Sequence, residues 1–224
     1  MRILIIAGGR IDPDFASGFI SNEKFDVNIV VDGALNFVHR LTDEKEYILP
    51  IHHLVGDFDS ADPQILEQYI NKPEITVHQF GAEKDYTDTE LAIHLAIDLC
   101  GDKAGEIYIL GATGTRLDHL LANIYMMIRP FNKGIPCYII DKNNRVQLIA
   151  HKRKLFKSSQ WGQYISLLPF GQALVGIDLT GFKYPLSHQT IHLGDSLCIS
   201  NELLDEEGLI TIRDGIAILI ESTD

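Results

Sequence analysis

The chain has 224 residues, 46% of them hydrophobic and 22% charged, and a net charge of −12. This length suits one large domain or two modest ones, with enough residues to bury a core without staples. The acidic balance disfavours nucleic-acid binding, because an anionic surface repels a polyanion; an anionic substrate then needs a local metal or local cations.

The chain opens on Ile3 to Ala7, an apolar run too short for a signal peptide or a membrane span, which reads as a buried first strand. Val27 to Val31, His53 to Val55, Ile75 to Phe80 and Ile107 to Leu110 follow as further strands. These runs are nearly continuous in Val, Ile and Leu, as strands covered on both faces are. Helices are predicted between them. Ala34 to Leu41 is one. Another starts after Asp62-Pro63, a cap followed by proline at the first helical position. Thr87 to Glu90 is a capping-box pattern before a helix over Leu91 to Cys100, with Gly101 to close it, and Thr115 to Asp118 is a weaker version before Leu120 to Ile128. Alternating strand and helix predict an α/β domain over residues 1–140, a mostly parallel sheet with flanking helices.

From about residue 135 the pattern turns to short strands: Tyr138 to Ile140, Val146 to Ile149, Tyr164 to Leu168, Leu174 to Leu179, Ser196 to Ser200, Leu209 to Ile212 and Ile216 to Ile220. Asp214-Gly215 predicts a hairpin joining the last two, with Ile210 and Ile212 facing Ile216, Ile218 and Ile220. The basic run His151 to Lys154 reads as a solvated turn. Residues 141–224 are therefore expected to form an all-β, sandwich-like domain. The three cysteines, Cys100, Cys137 and Cys198, are odd in number and lack a C-x-x-C spacing, which points away from disulfides and zinc and towards a cytoplasmic protein.

In open α/β sheets, ligands bind beyond the carboxyl ends of the strands. The residues found there are Gly8 and Gly9, then Asp32 and Gly33, then Gly56-Asp57-Phe58-Asp59-Ser60, then Gly81, Lys84, Asp85 and Asp88, and finally Gly111 to His119. Singly each aspartate reads as a turn or cap residue; jointly they deliver carboxylates to one rim. Asp57 and Asp59, two apart, can face one cation, and carboxylates with no histidine or cysteine cluster suit Mg2+. A metal so held reconciles an acidic chain with a polyphosphate substrate. Gly111 to His119 is neither a P-loop nor a G-x-G-x-x-G, but its glycines bring backbone N–H groups to a helix N-terminus and Arg116 adds a bidentate phosphate donor. His52, His53 and His94 read as structural.

These segments resemble, in order, the motifs of thiamine pyrophosphokinases: Asp32 to Ala34, Gly56 to Ser60, Lys84 to Asp88 and Gly111 to His119, then Ser166 to Phe170, Thr180 to Leu186 and Ser200 to Glu202. Thr115 stands where the family usually has a second glycine. The resemblance implies transfer of the ATP diphosphate to the thiamine hydroxyl, giving thiamine diphosphate and AMP. It implies Mg2+ on Asp57, Asp59 and Asp85 or Asp88, phosphate binding by Arg116, and a substrate role for His119. Asp118 orients Arg116, reaches the metal through water, or takes the hydroxyl proton; Asp32 holds metal or substrate. It further implies a homodimer with thiamine between the α/β domain of one chain and the β domain of the other. Tyr184 would cover the thiamine rings, with Ser200 and Asn201 nearby. Two other readings are a related diphosphokinase acting on a pterin alcohol and a non-catalytic thiamine or nucleotide sensor; the thiamine-site resemblance and the full carboxylate set speak against them.

Overall fold

A computed structural model describes residues 1–45, 48–81, 85–114 and 116–224. The chain divides into two compact units, Met1–Lys142 and Asn143–Asp224.

The first unit is built on β1 (Arg2–Ile6), β2 (Val27–Val31), β3 (His53–Gly56), β4 (Thr76–Gln79), β5 (Glu106–Leu110) and β6 (Cys137–Ile140). They lie in the order β4-β3-β2-β1-β5-β6, all pairs parallel. The helices are α1 (Pro13–Asn22), α2 (Ala34–Lys45), α3 (Pro63–Ile70), α4 (Asp88–Cys100), α5 (Leu117–Met126) and α6 (Ile128–Asn132). Ile3, Leu4, Ile5 and Ile6 are fully buried, as are Ile107, Ile109 and Leu110 on β5. Consecutive burial, not alternation, is what a sheet covered on both faces requires. Asp62 caps α3 by accepting from Gln64 and Ile65 N–H, and Thr87 caps α4 by accepting from Glu90 N–H. Helix α1 was not anticipated, although Asp12-Pro13 repeats the Asp62-Pro63 signal: Asp12 accepts from Phe15 N–H at 3.0 Å. Helix α5 starts earlier than expected and ends at Met126. Its cap residue is Arg116, with no side-chain cap bond, while Thr115 lies outside the described residues.

In the second unit, β7 (Asn144–Ile149), β9 (Tyr164–Pro169) and β13 (Ala217–Ser222) run antiparallel in the order β7-β13-β9. A second antiparallel sheet has the order β11-β10-β12-β8, from β8 (Lys152–Phe156), β10 (Leu174–Thr180), β11 (Leu186–Ile191) and β12 (Glu207–Asp214). One apolar core serves both sheets, including Ile165, Leu167, Ile177, Ile210, Ile212 and Leu219.

Three expectations fail here. Asp214-Gly215 does not close a hairpin: β12 pairs with β10 and β8, β13 with β7 and β9, so the turn carries the chain from one sheet to the other. Gly215, at φ 103°, makes that crossing. On β13 the core face is Ala217, Leu219 and Glu221, and the isoleucines between them are only partly buried. The run Lys152 to Lys154 is strand, not turn; β8 is an edge of its sheet, where charged side chains guard unpaired backbone. Ser196 to Ser200 forms turns, not a strand.

Candidate active site

The strand order reverses at β1. The chain leaves β1 through α1 towards β2 on one side, whereas β5 lies on the other. Loops that diverge from such a switch point leave a crevice. Gly9 N–H donates to Gly111 C=O at 3.0 Å, and a Cβ on Gly9 would stand 2.2 Å from that oxygen. Gly111, at φ +74°, passes so close to Ala7 that a Cβ would meet its carbonyl at 2.3 Å. The glycines therefore set the floor of a cavity of about 390 Å³, lined by Gly8, Asp32, Ser60, Asp88, Arg116 and His119 among others.

Carboxylates converge at its edge. Asp32, Asp57 and Asp59 each offer an oxygen within 4.8 Å of the other two. Asp32, at φ 43°, follows β2; Phe58, at φ 63°, lies between the other two with its ring buried. Non-glycine residues in the left-handed region carry local strain, which persists where the surroundings hold it. Asp59 N–H donates to Asp57 Oδ1 at 3.3 Å, and Ser60 hydroxyl to Asp59 Oδ1 at 2.9 Å. Asp32 Oδ1 is buried with no hydrogen-bond partner among the described residues. Burial pushes the Asp32 carboxyl above the usual range; contacts with Gly33 N–H and Ser60 oppose this, and the charges of Asp88 and Asp59 add to it. A buried, orphaned carboxylate oxygen beside two further carboxylates fits a hard divalent cation.

Arg116 stands at the N-terminus of α5, where a cation opposes the helix dipole. Asp118 compensates: Arg116 Nε and Nη2 reach its two oxygens at 3.2 and 2.5 Å. That grip lowers the Asp118 carboxyl to about 2, with help from His119 N–H. Of the three roles open to Asp118, the geometry displays the first, orienting Arg116. Asp88 lies in the first turn of α4 and lines the cavity, whereas Asp85 is exposed and does not. Lys84 lies outside the described residues.

Two features of this site went unread in the sequence. Buried Asn123 lines the cavity and donates to Ala112 C=O at 2.9 Å; its signal was a lone amide on the apolar helix α5. A second cavity of about 500 Å³ shares Gly8 and Gly9 with the first and is lined by Arg10, Asn36 and Arg40. Neither arginine has an ion-pair partner among the described residues. A larger open cleft, about 1030 Å³, lies at the opposite ends of β1 and β5, beside Met1, Arg2 and Glu106. Volume alone does not mark the site, since ligand sites in such sheets lie at the carboxyl ends of the strands.

His52, His53 and His94 have partners within the fold. His52 Nδ1 accepts from Asn28 N–H at 3.0 Å, His53 and His78 share a hydrogen bond of 3.1 Å, and His94 meets the Tyr86 ring edge-on.

In the second unit, Tyr184 is 59% exposed. Buried Asn201 holds its backbone from both sides, accepting from Tyr184 N–H at 3.1 Å and donating to Tyr184 C=O at 2.8 Å. Asn201 Oδ1 also accepts from Glu202 N–H, so its amide is largely spent on the chain itself. Ser200, at φ 56°, donates its N–H to Ser166 Oγ at 3.0 Å. Lys183, ion-paired to Glu202 at 2.6 Å, lies 5.6 Å from the centre of the Tyr184 ring.

Residues 21–139 match the family described as thiamin pyrophosphokinase, catalytic domain, and residues 151–217 match thiamin pyrophosphokinase, vitamin B1 binding domain. The chain is 36% identical over 216 residues to the thiamine pyrophosphokinase of Bacillus subtilis, covering 88% of this chain and 99% of that one. The crystal structure of a Bacillus subtilis thiamine pyrophosphokinase superposes with a TM-score of 0.85 at 35% identity, covering all of both chains. That of the Geobacillus thermodenitrificans enzyme gives 0.82 at 28% identity, covering 100% of this chain and 98% of the other. With both family matches and this level of identity over most of its length, the chain belongs to the thiamine pyrophosphokinases, transferases that make thiamine diphosphate from thiamine and ATP.

Proposed function

We propose that the cavity at the β1/β5 switch point is where the diphosphate of ATP passes to the thiamine hydroxyl. The observation that carries this reading is the Asp32, Asp57 and Asp59 cluster, whose Asp32, with an Oδ1 unpartnered among the described residues, lines the same cavity as Arg116. These three carboxylates, with Asp88 nearby, would hold Mg2+. The ion's contribution is to neutralise phosphate charge as the bond to AMP breaks.

The chain's own groups do the rest. Arg116 presents its guanidinium to phosphate oxygens, and Asp118 fixes the plane of that fork. With its carboxyl held near 2, Asp118 stays ionised and is a poor acceptor for the hydroxyl proton. Gly111, Ala112 and Gly114 line the cavity ahead of the start of α5, where backbone N–H groups could meet phosphate. The adjoining cavity, with Arg10 and Arg40, suits the AMP portion, because neither arginine has an ion-pair partner among the described residues and each could meet its phosphate. Release of AMP from ATP that requires both thiamine and Mg2+ tests this; release without thiamine, or full activity without the metal, contradicts it.

The proposal extends to a cytoplasmic homodimer. Its cysteines are free and buried, and among the described residues no helix is long and apolar enough to cross a membrane. Leu117, Leu121 and Tyr125 form an exposed stripe along α5, and Leu193, Leu197 and Leu204 are exposed in the second unit. Apolar surface of this kind marks association. In such a dimer Tyr184 of one chain covers thiamine bound at the cavity of the other, its ring facing the cationic thiazolium. A Tyr184→Ala chain and an Asp57→Asn chain, each weak alone, should then recover about a quarter of full activity when mixed in equal amounts and allowed to exchange. Demonstrated exchange without recovery rules out the shared site.

A further inference from the structure

Asn36 lies on the half-buried side of α2, whose neighbouring Leu35, Phe37, Val38 and Leu41 are buried. Asn36 is the third residue of α2, and among the described residues its side chain makes no hydrogen bond within its own helix. It reaches instead to the loop of the next βα unit. Asn36 Nδ2 donates to Ser60 C=O at 3.1 Å, and Asn36 Oδ1 accepts from Asp62 N–H at 2.9 Å. Two bonds from one planar amide to groups two residues apart fix both the position and the orientation of that segment.

The segment so gripped follows directly on Asp57 and Asp59. Ser60 hydroxyl donates to Asp59 Oδ1 at 2.9 Å, so the carbonyl held by Asn36 and the hydroxyl that holds Asp59 belong to one residue. On its own side, Asn36 N–H donates to Gly33 C=O at 3.1 Å, in the turn that carries Asp32. Gly33 lets Ser60 sit close, since a Cβ there would stand 3.1 Å from Ser60 Cβ. Asn36 thus ties together the two loops whose carboxylates converge, beside the contact of Ser60 with Asp32.

We propose that Asn36 is a positioning residue for the cation site: its side chain sets the separation of Asp32 from Asp57 and Asp59, and through that the affinity for the metal. This rests on the reading that the three aspartates hold a divalent cation. Mn2+ titration of the substrate-free protein by electron paramagnetic resonance tests it directly. Asn36→Ala should weaken Mn2+ binding roughly tenfold, about 1.4 kcal/mol, the scale of one lost hydrogen-bond pair. The Mg2+ concentration for half-maximal activity should rise by the same factor, with KM for thiamine little changed. Asn36→Ser, which can keep one of the two bonds, should fall between and serves if the alanine variant does not fold. Asp62→Ala is the structural control. It removes the cap of α3 but keeps the Asp62 N–H, so it should lower Tm and leave Mn2+ affinity intact.

Unaltered Mn2+ affinity in a folded Asn36 variant overturns the proposal, and so does equal weakening in Asp62→Ala. If wild-type protein shows no Mn2+ binding that Asp57→Asn abolishes, the cation reading itself fails and the role of Asn36 falls with it. The two failures are told apart by that wild-type titration.

Discussion

The two units treat a buried carboxylate in opposite ways. In the second, Glu221 is fully buried on β13, gripped by Arg145 Nε and Nη2 at 2.7 Å each and by Trp161 N–H at 3.1 Å. In the first, Asp32 has one buried oxygen with no described partner, and two more carboxylates crowd it. Both Glu221 oxygens are met by groups of its own unit, whereas Asp32 Oδ1 has no hydrogen-bond partner among the described residues. Burial cost is the same kind of term in both places. The contrast is what the proposed cation site predicts: a structural acid compensated from within, and a ligand carboxylate left open at a cavity.

The largest effect expected from testing this contrast is on activity in the first unit. Asp57→Asn should fold normally and lower thiamine-dependent AMP release by about 10²–10³-fold or more, because metal stabilisation of charge in the transition state is worth several kcal/mol. Near-full Mg2+-dependent turnover in a folded variant would sink the metal assignment.

Next comes stability in the second unit. Glu221→Ala leaves the Arg145 guanidinium without its buried partner and should cost about 3–5 kcal/mol in chemical denaturation. A loss no greater than that of a surface substitution would mean that Arg145 finds water or another acceptor.

Arg116→Lys keeps the charge and loses the planar fork that grips Asp118 and that would, on the proposed role, grip phosphate. Turnover with ATP should drop roughly 10–100-fold with thiamine binding spared. Wild-type kinetics would make Arg116 a surface residue.

The smallest effect has the opposite sign. Because burial raises the Asp32 carboxyl, the folded state favours its protonated form. Its contribution to stability is therefore greatest below the unfolded carboxyl pKa and is lost as pH rises through the folded one. Asp32→Asn mimics the neutral form, so it should raise Tm at neutral pH by roughly 1–3 °C, a modest figure since the group is partly solvated, while lowering activity. The rise should vanish in acid. A fall in Tm at neutral pH would show that the charged Asp32 is internally compensated, like Glu221.

The strands of the first unit were legible because the information is local. Each apolar run is one strand, and Asp62-Pro63 and Thr87 to Glu90 carry their caps within a few residues. Strand-end glycines and aspartates then point to a rim, since a parallel sheet puts every strand end on one edge. The ordered motifs added the family. The second unit was less legible. Asp214-Gly215 is a good hairpin turn taken alone, and nothing nearby says that Thr211 and Ile212 pair with β10 while Ala217 and Leu219 pair within another sheet. The basic edge strand β8 lacks the alternation that marks a half-buried strand, and so it read as a turn.

By itself, then, the sequence determined the α/β-then-β order of the chain, the rim residues and the family, because periodicity, caps and short motifs are written in consecutive residues. Tertiary structure alone decided which sheet each C-terminal strand joins, that Asp88 and not Asp85 reaches the cavity, that Asp118 is spent on Arg116, and that Asn36 ties the carboxylate loops together. These depend on groups far apart in the chain, whose meeting is set by packing and by the pairing of buried polar atoms.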